Sequence, residues 1–203
     1  MNLEEEKSLF HERVKSLVGQ SISRVRYSTI EYPDGKPYWD HEEFHNAELG
    51  VELTTSAGVI FQLGWDWVFH HYHISLQQFD SEGEGLWHDT TVMWDVTSEP
   101  HWTSVVGEKI VQTVEYWCNT GDKSYPSPDY PQDLEIVFES ERKVWFSVAG
   151  YDESTGQLFG MHDEIMIIFD EDVLKRHQFG AYTPKEWLHR TAAHNKSLER
   201  TAG

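Results

Sequence analysis

Leu49-Gly50-Val51-Glu52-Leu53-Thr54-Thr55-Ser56-Ala57-Gly58-Val59-Ile60-Phe61-Gln62-Leu63-Gly64-Trp65-Asp66 decides the fold. Leu49, Val51 and Leu53 alternate with Gly50 and Glu52, the period of a strand with one face buried. Thr54 to Gly58 gathers small, polar and glycine residues, which suit a tight turn. Val59 to Leu63 then runs apolar again. The stretch predicts an antiparallel hairpin.

The same grammar recurs downstream. Leu134-x-Ile136-x-Phe138 matches Leu49-x-Val51-x-Leu53, and Glu139 to Arg142 supplies a second turn. Val144-Trp145-Phe146 matches Val59-Ile60-Phe61, and Gly150-Tyr151-Asp152 matches Gly64-Trp65-Asp66. Upstream of each, Val18-Gly19-Gln20-Ser21-Ile22 with Val25 and Tyr27 matches Val106-Gly107-Glu108-Lys109-Ile110 with Val114 and Tyr116. An internal repeat is expected over 17–79 and 105–169. Each copy gains a fourth strand, Tyr72 to Leu76 in the first and Ile165 to Phe169 in the second. The expected fold is mainly β (α+β): two antiparallel meanders in a sandwich or barrel-like core.

Leu3, Phe10, Val14 and Leu17 share one helical stripe, so 3–18 is predicted as a helix ending at Gly19. Short helices are expected at 170–177 and from Thr183 to about Ala193, the latter opened by Pro184 at its first position. Long polar loops are expected at 32–46, 80–101 and 121–131. Residues 1–193 are expected to form one compact domain, and 194–203 a flexible tail.

The chain of 203 residues has formal charge −19. Residues 1–100 carry 18 acidic and 6 basic side chains, and no lysine or arginine occurs between Lys36 and Lys109. Such a field repels nucleic acid and anionic membrane and favours basic partners or cations. The first residues lack a secretory pattern and no apolar run reaches membrane length, so a cytoplasmic protein is expected. The single cysteine, Cys118, excludes an internal disulfide and, among Val114, Tyr116 and Trp117, reads as a buried, inert thiol.

Two constellations stand out. Within His70-His71-Tyr72-His73, a strand would turn His71 and His73 to one face. With Asp66, or with His41 and His45, they would then hold a divalent metal such as Zn²⁺, Ni²⁺ or Fe²⁺. The His-x-His, seven residues after Gly64, resembles the cupin motif, which implies a metal-dependent enzyme or sensor on a barrel. Gln77 and Gln78 stand where that family carries glutamate. The second constellation is aromatic: Trp65 and Trp67, with Trp87 and Trp94 of the next loop, would line a small-molecule cleft. His41-Glu42-Glu43-Phe44-His45 has the zincin string but is expected in a loop, which removes its helical geometry.

Asn195-Lys196-Ser197-Leu198-Glu199-Arg200-Thr201-Ala202 resembles a reading frame run into the recombination site of a bacterial integron cassette. That resemblance implies a mobile accessory gene and no mechanism. The leading functional expectation is a non-enzymatic, antitoxin- or immunity-like protein that binds a basic protein partner. The metal site and the Trp-lined cleft are the alternatives.

Overall fold

The computed structural model describes residues 2–31, 40–69, 71–80, 91–119 and 128–184. Helix α1 spans Leu3–Ser16. The Asn2 side chain accepts the Glu5 N–H at 2.9 Å while Glu5 accepts the Asn2 N–H at 3.0 Å, a reciprocal cap. Phe10 and Val14 face the core, as the stripe requires.

Ten strands follow, interrupted by a short helix. They are β1 (Ile22–Ile30), β2 (Phe44–Asn46), β3 (Gly50–Thr55), β4 (Ile60–Asp66), β5 (His73–Phe79), β6 (Thr91–Asp95), then α2 (Pro100–Thr103), β7 (Ile110–Cys118), β8 (Tyr130–Phe138), β9 (Lys143–Asp152) and β10 (Gln157–Ile168). Helix α3 (Glu171–His177) and a 3-10 turn (Gly180–Tyr182) complete the described chain. The strands form two five-stranded antiparallel sheets, ordered β5-β4-β3-β1-β6 and β2-β10-β9-β8-β7. The fold is mainly β with a sandwich-like core, as expected, but two strands fall where loops were predicted. Phe44–Asn46 pairs with β10, and Thr91–Asp95 pairs with β1.

The halves correspond bond for bond near their first hairpins. Gly19 N–H donates to Ile110 O at 2.8 Å, and Gly107 N–H donates to Ile22 O at 2.8 Å. Ser56 N–H reaches Ser21 O, and Glu139 N–H reaches Lys109 O. A bulge lies between Ile22 and Arg24 in β1 and between Ile110 and Gln112 in β7. Thr55 N–H bonds Val59 O across one hairpin, and Phe138 N–H bonds Arg142 O across the other. Each hairpin closes through a left-handed residue, Gly58 (φ 84°) or Glu141 (φ 67°).

This geometry corrects the sequence matching by two residues. Val51 corresponds to Leu134 and Leu53 to Ile136, because Val51 opposes Leu63 and Leu134 opposes Phe146. Gly64 then corresponds to Ser147, three residues before Gly150, so Asp66 and Asp152 are not counterparts. A period-2 pattern repeats after every second residue and cannot fix the phase of such a match.

Between the sheets lies the main core, including Tyr27, Leu53, Phe61, Leu63, Leu134, Ile136, Phe146 and Ile167, closed by Phe10, Val14 and Leu17. On the outer side of the second sheet, Trp145, Ala149, Met166 and Ile168 meet Val173 and Leu174 of α3 and Phe179. The second sheet is therefore covered on both faces. The Thr183-Pro184 helix prediction extends beyond Pro184 into residues outside those described, and the tail and parts of all three predicted loops lie there too.

Candidate functional site

The largest departure from regular sheet geometry lies in β10. Gly160 opposes Ala149 and Ile165 opposes Val148, its neighbour, so Met161 to Glu164 have no partner on β9. Bulges of this size re-aim side chains and end pairing. Met161 takes a left-handed φ of 62° and is 41% exposed. Gln178, which ends α3, is also left-handed at φ 62°. Left-handed backbone at a non-glycine residue is uncommon and gathers at functional places.

Both residues border a cavity of about 510 Å³. Its walls include Tyr130, Gln132, Leu158, Phe159, His177 and Phe179, with Cys118 and Thr183 beside them. The cavity falls within the range of pockets that enclose small organic molecules. Gly160, which also lines the cavity, packs closely on Gln132: a Cβ there would lie 3.2 Å from Oε1, so the amide would have to shift by a few tenths of an ångström. Gln132 Nε2 in turn donates to Val148 O, which fixes the amide.

Apart from Arg176, the titratable groups of the walls are neutral near pH 7. Burial raises the Cys118 thiol, and Asp133 and Asp129 raise it further. Burial likewise raises the Tyr130 phenol. His177 is held below its ordinary value by burial first and by the adjacent Arg176 second. Arg176 lies at the rim and its charge is taken up by Glu43, in contacts of 2.9 to 3.0 Å. Behind the wall, Asp133 Oδ2 accepts the Gly180 N–H at 2.9 Å. Burial pushes that carboxyl up to about 7, against the Ser147 hydroxyl and the Gly180 N–H.

The residues singled out from sequence lie elsewhere. His73 opens β5 opposite Asp66, is 4% exposed, and packs its ring on Phe69. Its Nδ1 lies 3.0 Å from Ile74 O, and burial lowers its pKa. His71 precedes the strand and stacks beside Tyr130, so no common strand face presents the two imidazoles. Asp66 accepts the Trp67 N–H at 2.6 Å. Among the described residues, no group of three His, Cys, Asp or Glu is arranged to hold a metal ion.

Trp65 and Trp67 both pack edge-on against Tyr72, with ring centroids at 5.3 and 4.6 Å. Trp65 donates to Glu48 O. Trp94 stands on β6 and donates to Thr29 Oγ1 at 3.0 Å. Strands β1 and β3 separate β6 from β4, which puts Trp94 about 14 Å from Trp65 at ~4.8 Å per strand. The structure therefore does not gather these indoles into one cleft, and Trp87 falls outside the described residues. His45 is not a ligand pair with His41. It lies on β2, 2% exposed, with Nδ1 2.8 Å from Tyr27 Oη, which also accepts the Trp102 indole N–H at 2.6 Å. Burial lowers His45 to about 4, so its ring is neutral near pH 7.

The segment without lysine or arginine finds its positive charge on the neighbouring strand. Arg26 Nε donates to Glu52 at 2.8 Å, and Arg24 approaches the same carboxylate at 3.9 Å. Sequence reasoning missed the cavity, whose walls come from β7, β8, β10 and the end of α3. The one signal was Gly160-Met161-His162-Asp163-Glu164, which breaks the apolar pattern between Leu158 and Ile165.

No family model, curated protein or solved structure matches this chain. No helix among the described residues is long and apolar enough to cross a membrane.

Proposed function

We propose that this chain is a binding protein for a small, uncharged, largely apolar organic molecule held between β10 and the end of α3. The observation that carries this reading is the 510 Å³ cavity, its walls neutral apart from Arg176, with two left-handed residues at its border. A cytoplasmic location fits the single buried thiol. Titration of the full chain with the uncharged dye Nile red tests the idea. Saturable fluorescence enhancement is expected, and Leu158→Trp, which fills the cavity from β10, abolishes it while far-UV circular dichroism stays unchanged. Absence of saturable binding, or equal binding by the filled variant, overturns the reading.

A second reading, docking of a basic protein, is favoured by the charge balance. Arg26, Arg142, Lys143, Lys175 and Arg176 each pair with a carboxylate of the same chain. The surplus that makes −19 is thus left to the surface. Association with a basic protein such as cytochrome c would weaken steeply from 20 mM to 300 mM salt, as exposed charges are screened. Binding indifferent to salt, or absent at low salt, removes this reading.

A further inference from the structure

Two polar groups on the cavity wall have hydrogen-bonding capacity that no described residue takes up. His177 ends α3 and is 9% exposed. Its Nδ1 accepts the Leu158 N–H at 3.2 Å, which ties the helix to β10. A nitrogen that accepts an N–H carries no proton, so the neutral ring bears its hydrogen on Nε2. The second nitrogen is therefore a donor of fixed direction, held by the same bond that builds the wall. Thr183, 8% exposed, lines the same cavity. Its Oγ1 is buried and has no hydrogen-bond partner among the described residues. A buried hydroxyl without a partner costs stability, so a ligand that engages it recovers binding free energy.

The remaining walls mix apolar surface with the amides of Asn119, Gln157 and Gln178 and the ion-paired Arg176. Phe159, Phe179, Leu158 and Tyr130 offer aromatic and aliphatic surface. Gln132 is already bonded through its amide nitrogen to Val148 O. A ligand satisfying this arrangement has a flat apolar body and one terminal acceptor.

We infer that the site selects a neutral aromatic or polycyclic molecule bearing a carbonyl-type oxygen, which accepts hydrogen bonds from His177 Nε2 and Thr183 Oγ1. This rests on the cavity reading above and adds the ligand's polar group and the residues that recognise it. A hydrocarbon of the same shape fills the body of the site but leaves both donors unmet. A site built around hydrogen-bond donors discriminates strongly against an analogue lacking the acceptor.

The test uses two probes that share the naphthalene body, 2-acetylnaphthalene with a carbonyl oxygen and 2-ethylnaphthalene without one, titrated into the full chain by fluorescence. The ketone is expected to bind at least tenfold more tightly. His177→Phe and Thr183→Val each reduce that ratio several-fold while affinity for 2-ethylnaphthalene stays within about twofold, which shows that the variants keep the cavity. Equal affinity of the wild-type chain for both probes overturns the acceptor inference and leaves the cavity reading standing. So does a ratio unchanged in both variants. If neither probe binds, both the inference and the cavity reading fall.

Discussion

The two sheets share a hairpin, a bulge and a reciprocal set of cross-links, yet their outer faces serve opposite ends. In the first sheet the row Asp95, Arg26, Glu52, Gln62 and Gln77 runs across all five strands. In the second the matching row holds Val114, Glu135 and Trp145, and α3 with Phe179 lies over that face. Glu52 and Glu135 are counterparts, both nearly buried, but Glu52 meets two arginines while Glu135 meets Tyr116 Oη at 2.6 Å and Lys143 at 2.8 Å. Gly50 corresponds to Asp133 and Gly64 to Ser147. One backbone frame thus carries a charged network on one side and a ligand-sized hollow on the other. The covering element, not the sheet, makes the difference.

The sharpest way to break this comparison is through Asp133, whose counterpart in the first sheet is Gly50. Burial raises its carboxyl from 3.8 to about 7, so the folded chain holds a proton that the unfolded chain has already released. Stability from this group is greatest below about pH 4, falls as pH rises toward 7, and then levels. The total fall is on the order of 4 kcal/mol. Urea denaturation at pH 5 and pH 8 should show wild type losing far more stability than Asp133→Asn. Parallel losses in the two proteins would mean that the carboxyl is not buried as described.

A smaller effect separates the paired glutamates. Glu52→Gln is expected to cost about 1.5–3 kcal/mol, the range of hydrogen bonds to a charged group. Glu135→Gln should cost less than half as much, because the Lys143 side chain is 40% exposed and its attraction is screened. Equal costs in denaturant titrations would show that the two networks are equivalent after all.

The smallest effect sits in the hairpins. Glu141 adopts the left-handed backbone that Gly58 adopts in the first sheet. Glu141→Gly should stabilise by about 1 kcal/mol, and Gly58→Ala should destabilise by about 1–2 kcal/mol. Thermal unfolding measures both, and opposite signs are the required outcome.

Much of this architecture can be read from residues alone. The Leu49–Asp66 hairpin, the Leu3–Ser16 helix and the helix after Asp170 follow from periodicity and caps. What stays hidden has physical reasons. Phe44-His45-Asn46 is three residues long, too short to display a period, and its pairing with Met166–Ile168 is set by distant packing. Thr91–Asp95 is an edge strand, half-exposed on most of its length, so its alternation is muted. The Leu49 and Leu134 strands match equally well two residues out of phase because they alternate, while Gly64-Trp65-Asp66 and Gly150-Tyr151-Asp152 resemble each other in composition alone, three residues out of step with the pairing. The cavity draws on Cys118, Gln132, Leu158 and His177, which stand on four separate elements and meet only through tertiary packing. His71 and His73 suggest a chelate only if both lie on one strand, and β5 begins at His73.

The placement of β2 has a consequence for how the chain comes into being. Phe44–Asn46 belongs by sequence to the first half but completes the edge of the second sheet against residues 166–168. During synthesis it must wait for more than a hundred residues to emerge before its partner exists. Contacts so distant along the chain slow the search for the native state. The lock is mutual, since the Gly19 and Gly107 bonds also join one half to the other. A ribosome releasing only the first half would leave a sheet with unmet edges, which a holdase chaperone would recognise. Two fragments cut between β6 and α2 should therefore remain unstructured apart and assemble when mixed.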